Sequence, residues 1–373
     1  MNASDITAFR ADAPQQELDD LRQRLSRTRF PDEITGVGRA QGVPLEYLTA
    51  LVAYWVDGFD WRVQEAKLNA HPQFTATVDG LPIHFIHVRS PEPDALAVIA
   101  THGWPMSVFE YVDLIGPLTD PRGHGGDPAD AVDLVIPSLP GFGFSGRPVE
   151  LGWGSRRTAR AWAELMARLG YDRYVAIGND AGSLVSPEVG RADPDRCAGV
   201  HVTQLFSFPS GDPEEFAALS PDDLGKLEFL QKFNEEMSAF NQLQSTQPQT
   251  LAYALHDSPA GQLGWSCQLF GDAVDRDYIL ANVTLYWLTR TAASSARFYW
   301  EDRHDTGRPA EPTTTATAIA VFANDFRSIR PFAERDHRNI VQWTEYDRGS
   351  HFAAQDAPDL LVDDVRRFLR TLR

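Results

Sequence analysis

Apolar positions recur along the chain in two rhythms, and the changes between them mark out the elements. Residues 13 to 29 carry Leu18, Leu21 and Leu25 at helical spacing, and residues 44 to 61 read as a second amphipathic helix. From Phe74 the texture becomes alternating. "FTATVDGLPIHFIHV" predicts two strands about the Asp79-Gly80 turn. Short, nearly continuous apolar runs follow, ending at Gly103, Gly141, Asp180 and Gln204. Between the second and third of these runs, residues 155 to 170 predict a helix opened by a Ser155 cap and closed by Gly170. Strands alternating with helices of this length imply crossover units and a mostly parallel sheet. The rhythm stops near Phe206. Residues 207 to 312 are helix-rich and polar, with turns expected at "SPDD" and "DSPAGQ" and a return linker at 304 to 315. Two further strands, ending at Asp325 and Gly349, precede a terminal helix.

Composition narrows the partners. The chain has 373 residues, 43% hydrophobic and 11% aromatic, as expected of a globular protein with one large core and an insertion. A net charge of −18 argues against nucleic acid or anionic lipid, both polyanions. Cys197 and Cys267 cannot make a disulfide framework, and neither a CxxC nor a Cys/His ligand spacing is present. No metal and no cofactor is therefore expected. The start "MNASDITAFRADAPQQELDDL" lacks a basic-then-apolar leader, and no apolar run is long enough to span a membrane. The expectation is a soluble, cytoplasmic protein.

Candidate chemistry begins at "VAIGNDAGSL". Gly178-Asn179-Asp180-Ala181-Gly182 follows a buried strand and precedes a helical stretch, which is the context of a nucleophile elbow, but with aspartate in place of serine. Taken alone, glycines around an aspartate are common in ordinary turns. "THGWP", after an earlier strand, offers the Trp104 N–H to an oxyanion hole, with the Ala181 N–H as its second donor. "RGSHFAA" places His351 after the last strand, where a base is expected, and "VFAND" ends the preceding strand with Asp325, the candidate orienting acid. Glu334 and Asp336 are rival carboxylates inside a predicted helix.

An aspartate is already ionised at neutral pH, with a reference pKa of about 3.9, and needs no base to activate it. Attack on an acyl carbon would give a readily reversed anhydride. Attack on an sp³ carbon gives an alkyl ester, which water activated by His351 can hydrolyse. Two leaving groups fit. A halide needs N–H donors, often from tryptophan; an epoxide oxygen needs a proton donor, typically tyrosine. The insertion holds Tyr253, Tyr278, Tyr286 and Tyr299 beside Trp265, Trp287 and Trp300, so composition leaves both open, a hydrolytic dehalogenase being the alternative.

These motifs, with residues 47 to 90, "PSLPGFGFSG" and "SSARFYWED", resemble the microsomal-type epoxide hydrolases over nearly the whole chain. The resemblance implies an α/β-hydrolase fold with a helical cap and an N-terminal wrapping segment. Its parts would be an N-terminal segment at 1–73, core at 74–206, cap at 207–312 and core again at 313–373. It implies hydrolysis of an epoxide to a vicinal diol, with Asp180 as nucleophile, His351 as base, Asp325 as acid, Trp104 in the oxyanion hole and Tyr299 donating to the epoxide oxygen. Epoxide and water would be its partners, with neither nucleic acid nor a membrane anchor. The family's wrap and exposed aromatics such as Trp55 would permit a homodimer. There are two departures. Phe240 stands where the family has a second tyrosine, leaving Asn241, Gln242 or Tyr253 as replacement donors. Ala181 stands where many relatives have tryptophan, which also weakens the dehalogenase reading. Loss of the cap tyrosine is similar to epoxide hydrolases of enediyne antibiotic pathways and points to a bulky aryl substrate.

Overall fold

The computed structural model describes residues 6–271, 273–307, 309 and 311–373. Its frame is one nine-stranded sheet: β1 (Ile6–Phe9), β2 (Gln73–Val78), β3 (Leu81–Val88), β4 (Leu96–Thr101), β5 (Val132–Pro137), β6 (Tyr174–Gly178), β7 (Cys197–Val202), β8 (Thr317–Val321) and β9 (Ile340–Glu345). The order is β1-β2-β3-β5-β4-β6-β7-β8-β9. Pairing is antiparallel from β1 to β5 and parallel from β5 to β9. This is the α/β-hydrolase architecture of a mostly parallel sheet flanked by helices.

The apolar runs are continuous because both faces of the central strands are covered. Side chains alternate across a strand, so Val98 and Ala100 of β4 share a cluster with Phe368 of the terminal helix Pro358–Thr371. Ala97 and Ile99 pack in a second cluster with Trp162, Leu165 and Met166 of the helix Ser155–Arg168. The turn joining β2 to β3 is left-handed at both Asp79 (φ 47°) and Gly80 (φ 76°), as a two-residue hairpin requires.

Several expectations are corrected. Ser155 does not cap its helix; it lies inside it, and its N–H donates to Asp302 Oδ1 at 2.7 Å from the helix Ala292–Arg303. The start of that helix is thus held by a residue far along the chain. "SPDD" and "DSPAGQ" are helix starts rather than free turns: Ser220 accepts from Asp223 N at 3.1 Å and Ser258 from Gly261 N at 3.0 Å. Residues 44 to 61 do not make one helix. The chain breaks after Leu45–Asp57 and restarts as Trp61–Asn69, capped by Asp60. Strand β1 was not foreseen. Trp55 is buried, not exposed, and its Nε1 donates to Thr284 Oγ1 at 2.9 Å, which removes it as an argument for a dimer surface. The return linker at 304 to 315 includes residues 308 and 310, which lie outside the described residues, as do residues 1–5 and 272.

Between β7 and β8 the chain makes seven α-helices from Pro213 to Arg303 among the described residues. Arg276–Thr289 is buried on nearly every side, and its polar positions are engaged: Asn282 Oδ1 accepts from Ser107 Oγ at 2.7 Å, and Thr284 from Trp55. Tyr54 donates to Asp277 Oδ1 at 2.7 Å. The N-terminal helices and the strand-end loop at Ser107 therefore grip this helix from two sides. No helix among the described residues is long and apolar enough to cross a membrane.

Candidate active site

Every loop that builds the site leaves the C-terminal end of a parallel strand, where ligands of such sheets bind. The register of β4 and β6 places Thr101 opposite Gly178, so the loops at 102–104 and 179–181 emerge side by side. An isolated parallel bridge between Asn324 and Ser350 does the same for the next residues, Asp325 and His351.

Asp180 sits at φ 53° and ψ −116°, an unfavourable conformation for a residue with a Cβ, immediately before the helix Ala181–Ala192. The glycines on either side permit this turn by close approach. A Cβ on Gly178 would overlap the Gly182 carbonyl, and one on Gly182 would overlap the Thr101 carbonyl. The two carboxylate oxygens meet different surroundings. Oδ1 accepts from the Trp104 N–H at 2.8 Å, and Oδ2 lies 3.6 Å from His351 Nε2. Burial raises the Asp180 pKa; the His351 charge and the N–H groups of Trp104 and Ala181 oppose it.

His351 Nδ1 is 2.9 Å from Asp325 Oδ1, and its Nε2 makes no hydrogen bond with the protein. Burial would lower this imidazole, but Asp325, Asp180 and Glu110 outweigh it and push it up to about 9. Asp325 also accepts from the Phe326 N–H at 2.7 Å and from Gln204 Nε2. Its rivals are engaged elsewhere, Glu334 with Arg330 and Asp336 with Arg335, each at 2.7 Å.

Two buried amides tie these parts together, and neither was singled out from sequence. Gln204 Oε1 accepts from the Asp180 N–H at 2.8 Å and from Ser183 Oγ at 2.9 Å; its Nε2 donates to Asn179 Oδ1 and Asp325. Asn179 Nδ2 donates to the His351 carbonyl and to Glu110 Oε1, both at 2.8 Å, while its Oδ1 also accepts from Thr203 Oγ1 at 2.6 Å. The available signal was position, since both stand at the end of a buried strand. His102 of "HGWP" binds backbone only, at Gly103 O and Leu139 N, and burial pushes it down to about 4. It holds the loop as a neutral ring.

With this geometry in place, similarity to known proteins decides the family. The description "Epoxide hydrolase N terminus" matches residues 6–111 and "Alpha/beta hydrolase family" residues 98–364. A protein named "Putative epoxide hydrolase" from Stigmatella aurantiaca is 44% identical over 379 residues, covering 99% of this chain and 86% of its own. The chain belongs to the epoxide hydrolases. "Epoxide hydrolase 1" of Sus scrofa is 29% identical, with 98% and 89% covered. Among solved structures, Aspergillus niger epoxide hydrolase superposes with a TM-score of 0.87 at 28% identity, over 98% of this chain and 96% of that one. Juvenile hormone epoxide hydrolase from the silkworm Bombyx mori matches in fold, with a TM-score of 0.91 at 24% identity over 99% and 95%.

Above the carboxylate of this epoxide hydrolase, Phe240 stacks on Trp104 with ring centroids 5.4 Å apart. Tyr299 stands edge-on to both, at 6.0 Å from Trp104 and 6.1 Å from Phe240. Its hydroxyl is buried without a protein partner, and burial and the Asp180 charge hold its pKa well above the usual tyrosine range. The other expected donors lie outside this cluster. Asn241 and Gln242 are exposed and bond within their own stretch of helices, to Ser245 and Asn234. Tyr253 is 71% exposed. Tyr286 donates to the Met106 carbonyl at 2.6 Å.

Proposed function

We propose that the enzyme hydrolyses its epoxide through an ester on Asp180. The observation that carries this reading is the unequal setting of the two Asp180 oxygens, one held by a backbone N–H and the other facing His351. Oδ2 attacks one epoxide carbon, the C–O bond breaks, and the alkoxide takes the Tyr299 proton. His351 Nε2 then removes a proton from water as that water adds to Asp180 Cγ. Negative charge grows on Oδ1, where the Trp104 and Ala181 N–H groups are pre-aimed. On collapse of the adduct the departing diol oxygen takes the proton from His351, and the proton left on the Asp180 carboxyl returns to the Tyr299 phenolate, which restores the carboxylate and the resting enzyme. Asp325 keeps the imidazole oriented and favours its charged form.

Phe240, Trp104 and Tyr299 form an aromatic wall suited to a bulky aryl epoxide, on which rings stack edge-on or offset. We assign such a substrate, an intermediate of secondary metabolism of the antibiotic-pathway kind, acted on in the cytoplasm. Residues 207–312 would serve as the cap closing over it. Halide release is disfavoured, because Ala181 replaces the expected tryptophan and the Trp265 N–H is already donated to Gln244 at 2.9 Å.

His351→Gln tests the reading. With styrene oxide it should accumulate a covalent adduct on Asp180, visible as a mass increase of the Asp180 peptide. Normal turnover by this variant with no adduct would contradict it.

A further inference from the structure

Behind the three residues that carry the ester chemistry lies a carboxyl group for which that chemistry has no use. Glu110, in the short helix Phe109–Val112, is 2% exposed. Its Oε1 accepts from Asn179 Nδ2 at 2.8 Å, and its Oε2 has no hydrogen-bond partner in the protein. That same Nδ2 donates to the His351 carbonyl, and Asn179 directly precedes Asp180. One amide therefore links Glu110 to the backbones of both reacting residues.

A buried carboxylate with one bare oxygen is costly, whereas a buried carboxylic acid needs only an acceptor for its proton. Beside Glu110 is a cavity of about 10 Å³, lined also by Asn179, His201 and Thr203. That is room for about one water, with polar groups to bind it. His201 is fixed from behind by Asp364, 2.8 Å from its Nε2.

We propose that Glu110 acts as a neutral acid that positions the groups of ester hydrolysis, donating its proton to one water in this cavity and holding Asn179, and so the His351 backbone, in register with Asp180. The proposal rests on the ester reading above. The titratable groups around Glu110 are His351, Asp180, Tyr111, Tyr278, Tyr286 and the cavity's His201. Burial dominates among the influences on Glu110 and pushes it up to about 8, with Asp180 acting the same way and Asn179, His351 and the Gly103 N–H opposing.

The two half-reactions should respond differently to its charge. Ester formation removes the negative charge of Asp180, so an ionised Glu110 does not hinder it. Hydrolysis rebuilds negative charge on Asp180 Oδ1, and an ionised Glu110 opposes that step by like-charge repulsion. Ionisation of Glu110 should therefore slow hydrolysis alone.

The test is single-turnover kinetics of the full chain with styrene oxide between about pH 6 and about pH 10, resolving ester formation from ester hydrolysis. In the wild type, hydrolysis should fall as the pH rises through about 8 while ester formation does not. Glu110→Gln keeps a neutral group of the same shape. It should hydrolyse within about threefold of wild type at neutral pH and lose that alkaline fall, whereas Glu110→Ala should hydrolyse roughly tenfold or more slowly at every pH. A fall that survives in Glu110→Gln overturns the proposal, as does equal loss of both steps in that variant. If the wild type forms no ester on Asp180, the ester reading fails as well.

Discussion

Phe240 lies nearly flat on Trp104, the two ring planes 15° from parallel. The backbone N–H of Trp104 is the one that holds Asp180 Oδ1, so Phe240 packs on the residue that supplies this hydrogen bond. Phe240 is also edge-on to Tyr299, which puts the far edge of its ring within the same cluster as the sole proposed proton donor.

A hydroxyl restored by Phe240→Tyr would add a second donor to the developing alkoxide. A hydrogen bond to a charged group contributes about 1.5–3 kcal/mol, and fitting an added atom into a packed cluster costs about 1–3 kcal/mol. The expected result on styrene oxide is kcat/KM between unchanged and about tenfold higher. Steady-state assays of small and bulky aryl epoxides check it. A fall on the small epoxide would contradict a role for a missing hydroxyl, and a fall confined to the bulky one would mark Phe240 as a substrate wall.

The proton affinity of His351 depends on the charge of Asp180. Despite its burial, the imidazole is pushed up to about 9, by Asp325 first and then by Asp180 and Glu110. Esterification of Asp180 removes one of those charges at 3.6 Å. The imidazole then releases its proton more readily, at the step where a neutral base is needed. Asp180→Asn mimics this loss, and NMR titration of His351 in that variant should give a value about one to three pH units below wild type. An unchanged titration would mean that the Asp180 charge does not set the imidazole.

Glu110 also has a cost in stability, whatever its role. An ordinary glutamate titrates near 4.3 and Glu110 at about 8, so the folded state binds its proton more tightly than the unfolded chain. The favourable contribution is complete below about 4.3 and is lost as pH rises through about 8, leaving a penalty of about 4 kcal/mol at neutral pH. Glu110→Gln should therefore be more stable in urea unfolding at pH 8 than the wild type, with the difference shrinking at pH 5. A difference independent of pH would show that the carboxyl is not held protonated.

Much of this arrangement was legible because it is local. A glycine-flanked aspartate at the end of an apolar run, an earlier "HGWP" and a histidine after the last strand mark loops that a parallel sheet must gather at one end. What could not be read depends on partners distant in sequence. The helix at Ser155 is held by Asp302, 147 residues away, so a cap inferred from its own serine went to the wrong group. Trp55 lies on an amphipathic helix with nothing local to show that Thr284 covers it. Asn241 and Gln242 neighbour Phe240 in sequence, but successive residues of a helix point about 100° apart, and theirs turn to solvent. Glu110 reads as one acid in an ordinary amphipathic turn; only Asn179 and His351 make it notable.

The central claim, that Asp180 itself attacks the epoxide, is tested most directly by a single turnover in oxygen-18 water with enzyme in excess. Attack by Oδ2 puts an oxygen of Asp180 into the diol and leaves the water oxygen on the carboxylate. The expected result is an unlabelled diol and a heavy oxygen in the Asp180 peptide by mass spectrometry. Label in the diol and none in Asp180 would mean that water attacks the epoxide directly, and the ester account would be wrong.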